Sequence, residues 1–287
     1  MATTSSTSRV WFITGATSGF GYALAEAAIA DGDVVVAAAR RPERLDALVA
    51  AHPDQLEPIA LDVGDTAAAT AAIETVIARY GRIDVLVNAA GRTQVGAAEE
   101  TTEQELRALF DVHVFGPAAL TRAALPQFRR QGSGAIVQFS SMGGQMSFAG
   151  FSAYSATKFA LEGYSEALAD EMAPFGVRVL IVEPGAFRTN LFGRDAAYLS
   201  EPMDAYAETV GPTRRMVTSS DGEQAGDPAK AAHAIRAALA ADPPPLRLAL
   251  GGDAVDAIAD HLRRVGAELD TWAAVARDTT YVQAGAQ

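Results

Sequence analysis

The sequence predicts an α/β fold built as one large domain, and three observations carry that prediction. An apolar run at 10–13 passes directly into a glycine-rich turn, Thr14 to Gly21, and then into an alanine-rich helical stretch. Short apolar runs recur at 34–39, 58–61, 83–87, 135–139, 177–182 and 246–250, most of them followed by a segment with helical character, which is the alternation that α/β folds leave in a sequence. The chain has 287 residues, 49% of them hydrophobic and 20% charged, enough for a substantial single core.

The same composition narrows the function. A formal net charge of -12 argues against a surface for nucleic-acid phosphates, although a local basic pocket is compatible with it. Cysteine is absent, which removes disulfides, thiolate metal sites and a thiol nucleophile together. Residues 1–8 are rich in Ser and Thr with no apolar core to follow Arg9, so they are expected to be a disordered tail and not a secretory signal. A second tail is expected at 277–287. No apolar run approaches the roughly 18 residues of a membrane span, and a soluble, cytoplasmic protein without membrane partners is the expectation.

The first apolar run reads as a strand, the turn as Thr14-Gly15-Ala16-Thr17-Ser18-Gly19-Phe20-Gly21, and 22–30 as a helix stopped by Asp31 and Gly32. Glycines at such a junction let backbone approach a ligand, and the amides of a helix N-terminus attract phosphate oxygens. The spacing G-x-x-x-G-x-G departs from the general dinucleotide fingerprint, and a merely tight turn is the alternative. The second strand, 34–39, ends in alanine and is followed by Arg40, Arg41 and Pro42. In dinucleotide folds a carboxylate at this point bonds the ribose 2'-hydroxyl, whereas arginine accommodates a 2'-phosphate. The arginines therefore favour NADP(H), with NAD(H) also accommodated, unless they are ordinary solvated residues opening a helix at 42–50.

The third strand, 58–61, ends at Asp62 and Val63; Asp62 is placed to accept a hydrogen bond from an adenine amino group, or to cap the helix starting near Thr66. The fourth, 83–87, runs into Asn88-Ala89-Ala90-Gly91, small residues that suit close passage of a cofactor or simple packing. Residues 102–130 read as one long helical region with a kink at Pro117 and Pro126 near its end. Within it His113 sits among apolar neighbours, where a histidine is usually a satisfied core residue. From 186 to 226 regular periodicity fades while bulky side chains persist, including Phe187, Leu191, Phe192, Tyr198 and Met203; this is a candidate lid over a substrate pocket, or helices packed on the body. A helix at 227–241, a strand at 246–250 and a last helix near 253–276 close the chain.

The fifth strand, 135–139, ends at Ser140 and Ser141, and Tyr154 follows Ser141 by thirteen residues. Tyr154 and Lys158 are four apart, so on a helix both lie on one face. An ammonium beside a phenol favours the phenolate and lowers its pKa, fitting the phenol to exchange a proton with a carbonyl or alcohol oxygen. A hydroxyl at the strand end would bond the same oxygen. Tyr-x-x-x-Lys also arises by chance on solvated helices, so the remaining elements decide.

Together these pieces resemble the short-chain dehydrogenase/reductase family over residues 9–276. They are the glycine turn Thr14-Gly15-x-x-x-Gly19-x-Gly21, Asp62 at a strand end, Asn88-Ala-Ala-Gly91, Ser141, Tyr154-x-x-x-Lys158 and Pro184-Gly185, in order at successive strand ends. The resemblance implies a Rossmann-type, doubly wound parallel sheet in a single catalytic domain, with ligands at the strand carboxyl ends. It implies Tyr154 as catalytic acid or base, Lys158 as the group that tunes it and binds the nicotinamide ribose, Ser141 as the group orienting the substrate oxygen, and Thr189 near the nicotinamide amide. It requires no metal, because hydride moves between nicotinamide and carbon while tyrosine handles the proton. It also implies a homodimer or homotetramer paired through 102–130 and 152–172.

Two positions depart from the family pattern. His113 stands where asparagine usually holds a water of the proton relay, so a retained relay with altered pH dependence is expected; Ala89 replaces a second asparagine. The function implied is an NADP(H)-dependent oxidoreductase acting on an apolar ketone or secondary alcohol, aromatic, steroid-like or polyketide-like. The alternatives are an NAD-linked alcohol dehydrogenase working oxidatively and a non-catalytic dinucleotide sensor.

Overall fold

Strand-forming runs that are apolar throughout belong in a sheet covered on both faces, and that is where they lie. The computed structural model describes residues 8–193 and 196–281; the expected tail at 1–8 falls outside it except for Ser8, and 282–287 of the C-terminal tail lie outside it as well. In chain order the strands are β1 (Val10–Thr14), β2 (Val34–Ala39), β3 (Leu56–Ala60), β4 (Val85–Asn88), β5 (Thr93–Val95), β6 (Gly134–Phe139), β7 (Val177–Pro184), β8 (Ala197–Leu199) and β9 (Arg247–Leu250). The helices are α1 (Gly19–Ala30), α2 (Asp46–Ala51), α3 (Thr66–Tyr80), α4 (Glu103–Phe110), α5 (Gly116–Gln131), α6 (Ser152–Met172), α7 (Gly211–Ser219), α8 (Pro228–Ala240) and α9 (Gly252–Arg277).

Seven strands form a parallel sheet in the order β3-β2-β1-β4-β6-β7-β9. The order reverses between β1 and β4, and such a switch point opens a crevice at the strand carboxyl ends. Alternate side chains of β1 feed two cores. Trp11 and Ile13 pack with α1 and α8, while Val10 and Phe12 pack with α3, α5 and α6. Each fully buried large side chain in these layers contributes about 1.5–3 kcal/mol. No helix among the described residues is long and apolar enough to cross a membrane.

Several boundaries differ from the sequence reading. α1 starts at Gly19, three residues before the expected Tyr22, because the glycine turn feeds straight into it. The helix expected at 42–50 is a tight turn, Pro42–Leu45, followed by α2. The long region at 102–130 is broken by a wide π turn, Asp111–Phe115, in which the Gly116 amide bonds back to Asp111 O. Pro117 follows directly on this turn inside the continuing helix, and its missing N–H, which an unbroken α-helix would aim at His113 O, fits the irregularity expected there. Gly116 allows the close approach there, since a Cβ would meet Val63 O.

The stretch at 186–226 is more structured than its pattern suggests. Its β8 pairs in parallel with β5, in register Gln94 to Tyr198, and α7 packs Val217 into a small cluster with Val95, Leu109, Phe151 and Tyr154. A buried ion pair ties it down: Arg214 Nη2 lies 2.7 Å from Glu100 Oε2. Glu100 also accepts from the amides of Ala97 and Met203 at 2.7 and 2.8 Å.

Candidate active site

The ends of β1 to β4, β6 and β7 open into one cleft of about 530 Å³. Gly15 and Gly19 have φ of +67° and +56°, and a Cβ on Gly21 would lie 2.5 Å from Gly15 O, so the turn closes on itself only with glycine at these points. Ser18 precedes α1 without a side-chain cap hydrogen bond, and the first turn holds no acidic residue. The leading amides of α1 and the positive end of its dipole are thus left for an anion, and these residues fit the pyrophosphate of a dinucleotide. Gly15, Thr17, Ser18, Gly19, Phe20 and Gly21 all line the cleft. Thr14 ties the switch point together, its Oγ1 accepting from the amides of Ala89 and Ala90 at 3.0 and 3.1 Å.

Arg40 and Arg41 line the cleft beyond β2, and Arg44 joins them. The sequence reading missed Arg44, although its spacing of three from Arg41 in a helical turn places the two on one side. Asp62 and Val63 also line the cleft. Asp62 accepts from the Gly64 amide at 3.0 Å, whereas the cap of α3 is Asp65, bonded by the amides of Ala67 and Ala68, so the capping role considered for Asp62 is corrected. Ala89, Ala90, Gly91, Pro184, Gly185 and Thr189 reach the cleft as well, but Asn88 does not. Asn88 is buried, and its Nδ2 donates to Gln138 Oε1 at 2.9 Å, joining β4 to β6 beneath the site.

Tyr154 and Lys158 project from the first turns of α6, and Ser141 reaches them from the loop after β6; all three line the cleft. Ser141 Oγ accepts from the Gly143 amide at 3.0 Å, and its hydroxyl also hydrogen-bonds the Tyr154 phenol. Lys158 Nζ donates to Phe139 O at 2.8 Å and stands 5.7 Å from the centre of the tyrosine ring. Burial dominates both groups. It pushes Tyr154 up to about 12, against the downward pull of the Ser141 hydrogen bond. It pushes Lys158 down to about 7, against the pull of the Glu162 carboxylate. In this geometry burial outweighs any pull of the ammonium on the phenol, which keeps its proton, and the tuning role expected of Lys158 belongs with the proposed reaction.

His113 is 1% exposed, edge-on to Tyr154 at 5.6 Å between ring centres. Its Nε2 accepts from the Arg92 amide at 3.2 Å, which leaves the proton on Nδ1, facing Thr157 Oγ1 at 2.8 Å. Burial foremost, then the charges of Lys158 and Arg92, hold its pKa well below the ordinary value. Both ring nitrogens are used by protein atoms and the ring stays neutral, so the expected relay role with altered pH dependence is corrected to a fixed, uncharged support beneath the tyrosine. A depressed histidine affects stability instead. Below about pH 6.5 the unfolded chain takes up a proton that the folded chain refuses. We expect unfolding free energy by urea titration to fall between pH 7 and 5, and His113→Asn to lessen that fall while leaving the pH-rate profile between 6 and 8 unchanged. An inflection that disappears from the rate profile in His113→Asn would restore the relay.

Two side chains that the sequence places in the glycine turn and the 186–226 stretch meet at the cleft, and a charged cluster that the sequence did not single out lies behind it. Phe20 packs between Phe139 and Phe187, with ring centres 5.1 and 5.0 Å away, walling one side of the cleft. One turn beyond Lys158, the buried Glu162 shares Arg247 with the buried Glu183, at 3.1 and 3.4 Å. Glu183 is raised to about 7 by burial and by the charge of Glu162. This cluster bolts α6 to β7 and β9; Glu162 was legible as the next i+4 position after Lys158.

Comparison with known proteins agrees with this geometry. Residues 9–198 match the short chain dehydrogenase family. The chain is 39% identical over 251 residues to the oxidoreductase BOA17 of Botryotinia fuckeliana, covering 86% of this chain and 90% of that protein. It is similar to the crystal structure of a short-chain dehydrogenase from Streptomyces avermitilis, with 65% identity, a TM-score of 0.91 and coverage of 96% and 100% of the two chains. A metagenomic short-chain oxidoreductase in complex with NADP is 35% identical, with a TM-score of 0.59 over 63% of this chain and 83% of that one.

Proposed function

The chain belongs to the short-chain dehydrogenase family and is an NAD(P)-dependent oxidoreductase, and from that premise we propose that it moves hydride between NADP(H) and a ketone or secondary alcohol with an apolar body, Tyr154 handling the proton. The observation that carries the proposal is the meeting of the half-buried Ser141 with the buried Tyr154 and Lys158 in one corner of the cleft.

A nicotinamide dinucleotide bound in the cleft supplies or accepts the hydride. The protein's share is to hold the oxygen and the proton. The Tyr154 phenol, raised to about 12, is protonated at neutral pH and is suited to donate to a carbonyl oxygen as negative charge builds on it. The Ser141 hydroxyl lines the same corner and is placed to turn its one proton from the phenol to the substrate oxygen as a second donor. Lys158, held by Phe139 O, places a titrating positive charge behind the ring. Leu191 and Phe192 on the cleft wall support an apolar substrate body.

The preference for NADP(H) rests on Arg40, Arg41 and Arg44 around the end of β2, where Ala39 stands in place of a carboxylate. A charge-assisted bond to a 2'-phosphate is worth about 10- to 100-fold in affinity. Arg40→Asp is expected to weaken NADPH by that factor and NADH by less than about threefold. Fluorescence titrations in which both cofactors weaken equally would count against the preference.

A further inference from the structure

Among the described residues that line the cleft, Arg92 is the cation left without a role in the proposed reaction. It follows Gly91 directly, and its backbone amide is bonded to His113 Nε2, whose ring lies against Tyr154; Arg92 therefore enters the cleft beside the reacting corner. The parallel pairing of β5 with β8 brings Tyr198 beside it, and the guanidinium carbon lies 4.4 Å from the centre of the Tyr198 ring. Stacking of this kind covers one face of the guanidinium plane and fixes its orientation while leaving the in-plane N–H groups available.

Among the described residues those N–H groups have no hydrogen-bond partner. Among the described residues no carboxylate pairs with Arg92, and its Nε is shut away from water with no hydrogen bond. The terminal nitrogens have no hydrogen bond among the described residues and are not shut away from solvent, and Arg92 is one of the residues lining the cleft. The two carboxylates that line the cleft among the described residues lie elsewhere: a Cβ on Gly64 would meet Asp62 Oδ1 at 3.3 Å and Asp111 Cβ at 3.7 Å, which places both beside Gly64 at the β3 side. Arg40, Arg41 and Arg44 belong to the far end of the cleft beyond β2, three strands' order away from the β6 loop that carries Ser141.

We propose that Arg92, held on Tyr198, is an anion subsite for the substrate, and that the preferred substrates are keto acids or hydroxy acids whose carboxylate is joined to the reacting carbon through an apolar body. A planar carboxylate matches the paired terminal N–H groups of a guanidinium, and a cleft partly shut from water strengthens the match. The pre-stacked side chain gives up little freedom on binding. The substrate class rests on the oxidoreductase reading above, so its test must separate the two.

The experiment uses aryl ketones with one to three methylenes between carbonyl and carboxylate, each beside its methyl ester, with NADPH and NADH. In parallel, the matching arylalkanoates, which have no carbonyl, and their esters are titrated for binding to the protein with cofactor. The expected result is that kcat/KM and affinity favour the acid over its ester by about 10- to 100-fold at the best chain length, as a charge-assisted pair gives. Arg92→Met should remove that preference while changing ester turnover by less than about threefold, and Arg92→Lys should restore part of it. Equal treatment of acid and ester by the wild type overturns the subsite. So does an Arg92→Met variant in which acid, ester and cofactor binding all fall together, since that marks Arg92 as support for the cofactor. A phosphate monoester of matched length preferred over the acid overturns the carboxylate assignment. Turnover of neither acid nor ester defeats the proposed ketone substrate class alone, because the arylalkanoate titrations still decide whether Arg92 binds the anion.

Discussion

Tyr154→Phe is expected to lower kcat/KM for carbonyl reduction by about 10³-fold while leaving the fold and cofactor affinity in place. The ring of Tyr154 packs with Phe151 and His113, and phenylalanine preserves those contacts while removing only the hydroxyl. Because that hydroxyl is buried and its ionisation strongly disfavoured, its loss should not reduce the melting temperature by more than a few degrees. Cofactor titration and thermal melts would accompany the kinetics. A variant that keeps a tenth of wild-type turnover would show that the proton comes from elsewhere. Lys158 enters the same experiment through pH. Its pKa of about 7 means that the positive charge behind the phenol is present below pH 7 and lost above it. Reductive kcat/KM should accordingly decline as pH rises through 7, and Lys158→Met should flatten that limb.

The second large effect is on stability. Arg214→Ala is expected to cost about 3 kcal/mol, because it strands the buried Glu100 carboxylate without its counter-charge. Arg214 is 15% exposed and Glu100 only 1% at the side chain, so water does not easily replace the lost partner. Burial by itself raises the Glu100 pKa, but the amides of Met203 and Ala97 and the Arg214 guanidinium outweigh it and hold the carboxyl below its usual range. The sign follows from that depression. Stability from Glu100 is fully present above the unfolded carboxylate value, about 4.3, and is lost as pH falls through the lower folded value. The deficit of Arg214→Ala should therefore be largest near pH 7 and shrink in acid, where the carboxyl is protonated in variant and wild type alike. Urea unfolding in steps from pH 7 down to pH 2 would reveal this, and a deficit independent of pH would place the effect in lost packing instead.

The sequence made legible whatever depends on near neighbours in the chain. The glycine turn could be placed because positive φ at Gly15 and Gly19 and the closeness of Gly21 to Gly15 leave glycine as the residue that fits. Tyr154 and Lys158 could be paired because helical spacing fixes their common face. What escaped was set by contacts across the fold. Asn88 carries the family motif yet turns under the sheet to Gln138, a choice made by β4 and β6 lying side by side. His113 could be read as a core residue or as a relay group, and the decision came from Arg92 and Thr157, which occupy its two nitrogens. The pattern of 102–130 marks the site of the π turn around it, through Pro117, but not its wide geometry. The pairing of Arg92 with Tyr198 joins positions more than a hundred residues apart and has no local signature.

The strand pair β5 and β8 has a mechanical consequence. β5 begins two residues after the small-residue loop Ala89-Ala90-Gly91, and β8 is carried by the segment that walls the substrate side. Backbone hydrogen bonds splice the two, so the loop after β4 and the stretch at 196–199 are tied into one piece; a displacement of either end is expected to reach the other through the splice. Substitutions along 93–95 or 197–199 will thus register in the handling of both ligands at once, even where they touch neither.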